Sequence, residues 1–155
     1  MMNIDLSKLS FSPAVKKEHL ILLPEQGFSN ENYIFSIDQK AYLLRKFKLQ
    51  DRDRKLEYAV QSLAHENGLA AKPLHLDISQ GFMVCEFLEG QHKTELIRDD
   101  LMLFAVQLKK LHQLSVESQT LDVEKMFKSM KTETEEAFTM IKTFPKEIVL
   151  CHNDL

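Results

Sequence analysis

Tyr33-Ile34-Phe35-Ser36-Ile37-Asp38-Gln39-Lys40-Ala41-Tyr42-Leu43-Leu44-Arg45-Lys46-Phe47 is the stretch on which the fold turns. Two β-rich runs flank the polar pair Asp38-Gln39, which predicts a hairpin over 33–37 and 40–47. Immediately upstream, Glu25-Gln26-Gly27-Phe28-Ser29-Asn30-Glu31-Asn32 is polar and turn-rich, so a Gly-bearing loop stands at the hairpin's entrance. With side chains alternating along a strand, Arg45 shares a side with Leu43 and Phe47, while Lys46 points the other way beside Tyr42 and Leu44.

Downstream, Leu56, Ala59, Val60, Leu63 and Ala64 recur at helical spacing, predicting a one-faced helix within 51–67 that Gly68 ends as a left-handed cap. Leu74, Leu76 and Ile78 alternate, Ser79-Gln80-Gly81 turns, and 82–87 returns, which reads as a second hairpin. Past Gly90 the pattern becomes helical. Asp99 or Asp100 can cap a helix carrying Leu101, Phe104, Ala105, Leu108 and Leu111. A second helix from about residue 122 carries Met126, Phe127, Met130, Ala137, Phe138 and Ile141 and stops before Pro145. Upstream of the first hairpin, Ser12 and Pro13 suit the start of a helix over 13–22, although 20–23 could equally begin a strand. Strands first and helices afterwards give an α+β chain in two parts, 1–90 and 91–155.

The chain has 155 residues, 44% of them hydrophobic, enough for one domain, or one lobe and the opening of a second. A formal net charge of −3 offers no basic surplus for releasing counterions from nucleic acid, so none is expected as a partner. Apolar runs are only a few residues long and the start has no signal-like pattern, so we expect a cytoplasmic protein without a membrane span. Cys85 and Cys151 lie far apart with no Cys-x-x-Cys pattern and read as free thiols.

Several residues could carry chemistry. Arg45, on a side shared with apolar residues, needs a partner or a ligand unless that side faces water. Glu57 borders the apolar stripe of the following helix and could supply the partner, or it could pair with Arg54 or Lys55 on its own helix. Ser29 and Asn30 carry short polar side chains that let backbone N–H groups approach an anion, though one glycine makes an ordinary turn as well as a phosphate cradle. Val84-Cys85-Glu86-Phe87-Leu88-Glu89-Gly90 is an apolar strand running into a Gly-ended connector whose main chain could meet the edge of a base. At the far end, the apolar run Ile148-Val149-Leu150 delivers Cys151-His152-Asn153-Asp154-Leu155. A His-x-Asp triplet after a strand opens the catalytic loop of phosphotransferases, where the Asp receives the proton of the attacking hydroxyl. Zinc held by Cys151, His152 and Asp154 is a poor alternative without a second ligand cluster, and Cys151 and His152 point apart in a strand, which argues against a thiol–imidazole pair. His112 reads as a packing or capping residue at a helix end.

Taken in order, the pieces resemble the choline/ethanolamine kinase and aminoglycoside phosphotransferase group. The likeness rests on 26–33, on Tyr42-Leu43-Leu44-Arg45, on Arg54 with Glu57, on Glu86-Phe87-Leu88-Glu89-Gly90, on Leu111-His112 and on 151–155. It looks nearest to bacterial choline kinases, in which an Arg stands where protein kinases have Lys. The resemblance implies a protein-kinase-like N-terminal lobe, an antiparallel sheet with one helix, followed by the first helices of a helical C-terminal lobe. It implies that ATP binds with its adenine on the main chain near Glu86 and Leu88, that Ser29 and Asn30 lie over the phosphates, and that Arg45 reaches them with Glu57 orienting it. Asp154 would then be the catalytic base and His152 would brace its loop.

The same resemblance implies Mg²⁺ held by an Asn a few residues after the triplet and by a later Asp. Both would fall beyond Leu155, so no metal ligand is expected in this chain, and the chain alone is expected to be inactive or nearly so. The accepting alcohol is expected to be a small cation, choline or ethanolamine first, with thiamine or an aminoglycoside as runners-up. The competing expectation is a non-catalytic nucleotide-binding or interaction module. In the first case the apolar faces of the helices between 101 and 141 are expected to favour self-association, and in the second to be a partner's docking surface.

Overall fold

The computed structural model describes residues 6, 9, 15–24, 27–49, 51–90, 93–117, 133–145, 149 and 150. Two compact units are present, Met1–Gln107 and Leu108–Leu155.

The first unit is built on five strands, β1 (Ile21–Leu22), β2 (Asn30–Ile37), β3 (Lys40–Phe47), β4 (Pro73–Asp77) and β5 (Phe82–Glu86), with helix α1 (Arg54–Glu66) between β3 and β4. They form one sheet in the order β1-β2-β3-β5-β4, antiparallel throughout. Both hairpins expected from the alternation are therefore present, and β5 enters beside β3 so that the two hairpins share one sheet. The β2–β3 turn places Asp38 and Gln39 at φ 47° and 67°, both left-handed, in the manner of a type I′ hairpin. A register shift between Pro73 and His75 marks a bulge in β4.

Both faces of this sheet are covered, and the alternation sorts residues between them. Phe35, Leu44, Phe82 and Val84 point to one face, where Leu6, Leu9 and Val15 from the N-terminal segment close the core. On the other face Arg45, Met83 and Cys85 lie towards α1: Arg45 meets Glu57 and Gln61, and Met83 and Cys85 are buried. Arg45 thus sits on a covered face.

α1 starts where Asp53 caps it, its carboxylate accepting from the Leu56 N–H at 2.9 Å. It ends in a Schellman arrangement, Leu69 N–H to Ala64 O and Gly68 N–H to His65 O, with Gly68 at φ 71°. Upstream, the expected helix over 13–22 is replaced within the described residues by a single 3₁₀ turn, Lys17–His19, and by β1. The reason is long-range: Ile21 and Leu22 pair with Ile34 and Tyr33, and Leu23 N–H bonds to Asn32 O at 2.9 Å.

Helix α2 (Arg98–His112) follows the connector after β5, with the division between units falling inside it. Asp100 accepts from the Ile97 N–H at 3.2 Å and pairs with Lys93, and Lys109, Lys110 and His112 occupy the last turn, opposite the acidic start, as the helix dipole favours. In the second unit, α3 (Glu133–Ile141) is the described part of the helix expected from residue 122, and Thr143 Oγ1 donates to Met140 O just past its end.

Candidate functional site

The site grows from the junction of β3 and α1. Arg45 Nη2 lies 3.0 Å from Glu57 Oε1, and Arg45 Nη1 donates to Gln61 Oε1 at 3.3 Å. Glu57 and Gln61 are one helical turn apart, so both present to the same strand residue. Gln61 is itself oriented by donating through Nε2 to Ala71 O at 3.0 Å. Asn30 completes the cluster from β2. With its amide turned to suit both neighbours, its nitrogen donates to Ser29 O at 2.9 Å and its oxygen accepts from Arg45 Nη2 at 3.1 Å.

Glu57 has a second guanidinium on its other oxygen. Arg54 Nη1 donates to Glu57 Oε2 at 2.5 Å, Arg54 Nη2 donates to Leu49 O at 2.9 Å, and the guanidinium lies over the Phe47 ring with 4.0 Å to the centroid. Sequence reasoning set Arg54 against Arg45 as rivals for Glu57. A carboxylate has two oxygens, and both arginines are served.

The Gly-bearing loop is tied to the same end of β3. Lys48 Nζ donates to Gly27 O at 3.0 Å and Lys48 N–H to Ser29 O at 3.0 Å, which holds the loop against the strand end through its backbone. Ser29 is half-buried, whereas Phe28 projects into solvent at the loop's tip. Lys46, on the opposite side of β3, pairs with Glu31, whose carboxyl is held below the usual range chiefly by the Tyr33 hydroxyl that donates to it at 3.0 Å.

At the other end of β5, the Glu86 N–H is taken by Lys72 O at 2.9 Å and the Phe87 N–H by Ala41 O at 3.2 Å. Lys40 Nζ sits 2.6 Å from Glu86 Oε1, a hydrogen bond that lowers the Glu86 carboxyl and raises the Lys40 ammonium. Leu88, beyond the strand, is exposed. Cys85 is a free, buried thiol pushed up by burial, with its Sγ 3.8 Å from Leu43 O. Of the site residues expected from sequence, Ser29, Asn30, Arg45 and Glu57 are brought together. Glu86 and Leu88 lie at the end of β5 and just past it, and His152 and Asp154 are outside the described residues. Gln61, Arg54 and Lys48 are what sequence reasoning left out of the site. Gln61 could have been found from its spacing of one turn from Glu57.

Chemically, the cluster is rich in donors. Arg45 and Lys48 carry more N–H groups than their contacts to Glu57, Gln61, Asn30 and Gly27 use, and the Ser29 carbonyl is bound in the same cluster. A surplus of fixed donors beside a loop suits a polyanion such as a triphosphate. Among the described residues no three His, Cys, Asp or Glu side chains converge as a group that could hold a metal ion.

Residues 21–137, most of the chain and all of this cluster, match the model of the phosphotransferase enzyme family, APH. The chain belongs to that family. Among solved structures, it is similar to a choline/ethanolamine kinase family protein from Mesorhizobium loti, with a TM-score of 0.71 and 17% identity over 96% of this chain and 55% of that one. It is also similar to choline kinase LicA from Streptococcus pneumoniae, with a TM-score of 0.57 and 21% identity over 80% of this chain and 51% of that one. Identities this low speak for the fold alone, and the fold is kinase-like, its five-stranded antiparallel sheet with α1 matching a kinase-like N-terminal lobe. The chain spans about half the length of these two structures. No curated protein matches it. Among its described residues no helix is long and apolar enough to cross a membrane.

Proposed function

We propose that the protein transfers the terminal phosphoryl group of ATP to the hydroxyl of a small cationic alcohol, with choline or ethanolamine the foremost candidates and thiamine or an aminoglycoside behind them. The observation that carries this reading is the 3.0 Å ion pair between Arg45 and Glu57, which fixes a strand cation beside the Gly-bearing loop. Family membership and the two kinase structures of like fold support the reaction class, and the names of those two structures support the choice of alcohol.

In this reading Arg45 and Lys48 neutralise the phosphates, and Ser29 and Asn30 line them from the loop side. With the Glu86 and Phe87 amides used inside the sheet, recognition of adenine falls to the main chain around the Glu86 carbonyl and Leu88. The hydroxyl oxygen of the acceptor bonds to the γ-phosphorus as the bond to the β–γ bridging oxygen breaks, ADP leaves, and Asp154 takes the hydroxyl proton, with His152 bracing its loop. The roles of Asp154 and His152 rest on the motif. Mg²⁺ would add charge neutralisation at the phosphates when bound. The lobes are proposed to divide at residue 90, and the protein to work in the cytoplasm, where ATP is supplied.

Because the chain spans about half the length of the kinases it resembles, nucleotide binding is the property to measure on it. Titration with ATP is expected to show Arg45→Ala and Glu57→Ala each weakening affinity, Arg45→Ala by on the order of tenfold to a hundredfold, as for a lost hydrogen-bonded charge. Curves for both variants that overlay the wild type would remove the basis of the proposal.

A further inference from the structure

Arg54 is badly placed for stability. It is the first residue of α1, where a cation opposes the helix dipole, and it is only 8% exposed, so its charge has been taken out of water. Its Nε is buried without a hydrogen-bond partner among the described residues. Yet every other feature of the side chain is organised: Nη1 on Glu57 Oε2, Nη2 on Leu49 O, and the plane stacked on Phe47.

The effect of this placement falls on Arg45. A lone Arg45–Glu57 pair is electrically neutral, and a carboxylate free to turn would meet the Arg45 guanidinium with both oxygens, occupying the donors an anion needs. Arg54 occupies Oε2 and leaves Oε1 for Arg45. Two guanidiniums on one carboxylate also leave the cluster with one net positive charge. From this geometry we infer that Arg54 is a positioning residue for phosphate binding: it clamps Glu57 so that Arg45 is oriented by the pair without being neutralised by it. The inference rests on the proposed role of Arg45, and Arg54 itself, behind Glu57, does not touch the nucleotide.

The test is a double-mutant cycle on ATP affinity, measured by calorimetry with Arg45→Met, Arg54→Met and the double variant, and with thermal melts to establish that each is folded. Arg54→Met is expected to weaken ATP binding on the order of tenfold when Arg45 is present and to change little when Arg45 is already Met. A merely structural arginine would cost the same in both backgrounds, and that result, or no loss at all, overturns the inference. Should Arg54→Met fail to fold, Arg54→Lys takes its place. It keeps the charge but has one nitrogen to share between Glu57 and the Leu49 carbonyl, so a smaller loss, again confined to the Arg45 background, is expected, and an equal or absent loss is decisive against the clamp. Failure of the underlying reading looks different, since Arg45→Met alone would then bind ATP as the wild type does.

Discussion

Lys40 and Glu86, 2.6 Å apart across β3 and β5, show how one ion pair leaves a mark on pH dependence. Their hydrogen bond depresses the Glu86 carboxyl, so its contribution to stability is complete above the carboxyl's unfolded pKa of about 4.3 and is lost as pH falls through the lower folded value. The same bond raises Lys40, whose share persists up to an unfolded pKa of about 10.4 and is lost as pH rises through the higher folded value. Thermal melts of wild type and Glu86→Gln should therefore differ by a constant amount through the neutral range and converge in acid. A gap that persists unchanged below both carboxyl values would show that the ion pair is not its source. At this scale the sequence was informative where a residue's neighbours in the chain set its direction. Arg45 was legible because strand alternation put it with Leu43 and Phe47, and Glu57 because it bordered a helical stripe. Asn30 was expected to line the loop, but not to bond Arg45, a contact that depends on the β2–β3 register opposing Asn32 to Arg45 and Asn30 to Phe47.

Among the elements, the β2–β3 hairpin carries a cost that its sequence discloses once the turn is seen. Asp tolerates the left-handed region, whereas Gln39 at φ 67° gains nothing there and bears the Cβ penalty that glycine avoids. Gln39→Gly is expected to stabilise the first unit by roughly 1 kcal/mol and Gln39→Val to destabilise it, since a β-branched side chain fits positive φ worst. Chemical denaturation would check this, and equal midpoints for the three proteins would mean that the turn opens at negligible cost. Elements defined by their own periodicity were readable in advance: the alternation of 40–47, the stripe of 56–64, the stop at Gly68. Ile21 and Leu22 were not settled, because two residues have no period and what makes them a strand is Ile34 and Tyr33 on β2. Likewise nothing local tells Leu6, Leu9 and Val15 to close the sheet face opposite α1. They are apolar residues whose place is fixed only by the assembled surface of Phe35, Leu44, Phe82 and Val84.

For the molecule as a whole, the exposed apolar residues of α2 are expected to influence how it behaves in solution. Leu101, Met102, Leu103, Phe104 and Val106 are each half exposed or more, and they run around the helix instead of forming one stripe. A single partner can cover only residues three or four apart, such as Leu101 with Phe104 or Met102 with Val106. Burying the exposed half of two such side chains yields roughly 1 kcal/mol each, so two copies of the chain gain about 4 kcal/mol. That only matches the low end of the roughly 4–15 kcal/mol that association costs in lost freedom of motion. The self-association expected from the sequence should accordingly be weak and concentration-dependent instead of yielding a tight dimer. Sedimentation equilibrium over a concentration series should show a mass rising gradually above that of one chain, and Leu101→Lys combined with Phe104→Lys should flatten the rise. A wild-type mass equal to one chain at every concentration would mean that this surface does not drive association, and a sharp tight dimer would mean that more than the α2 stripe is buried in it.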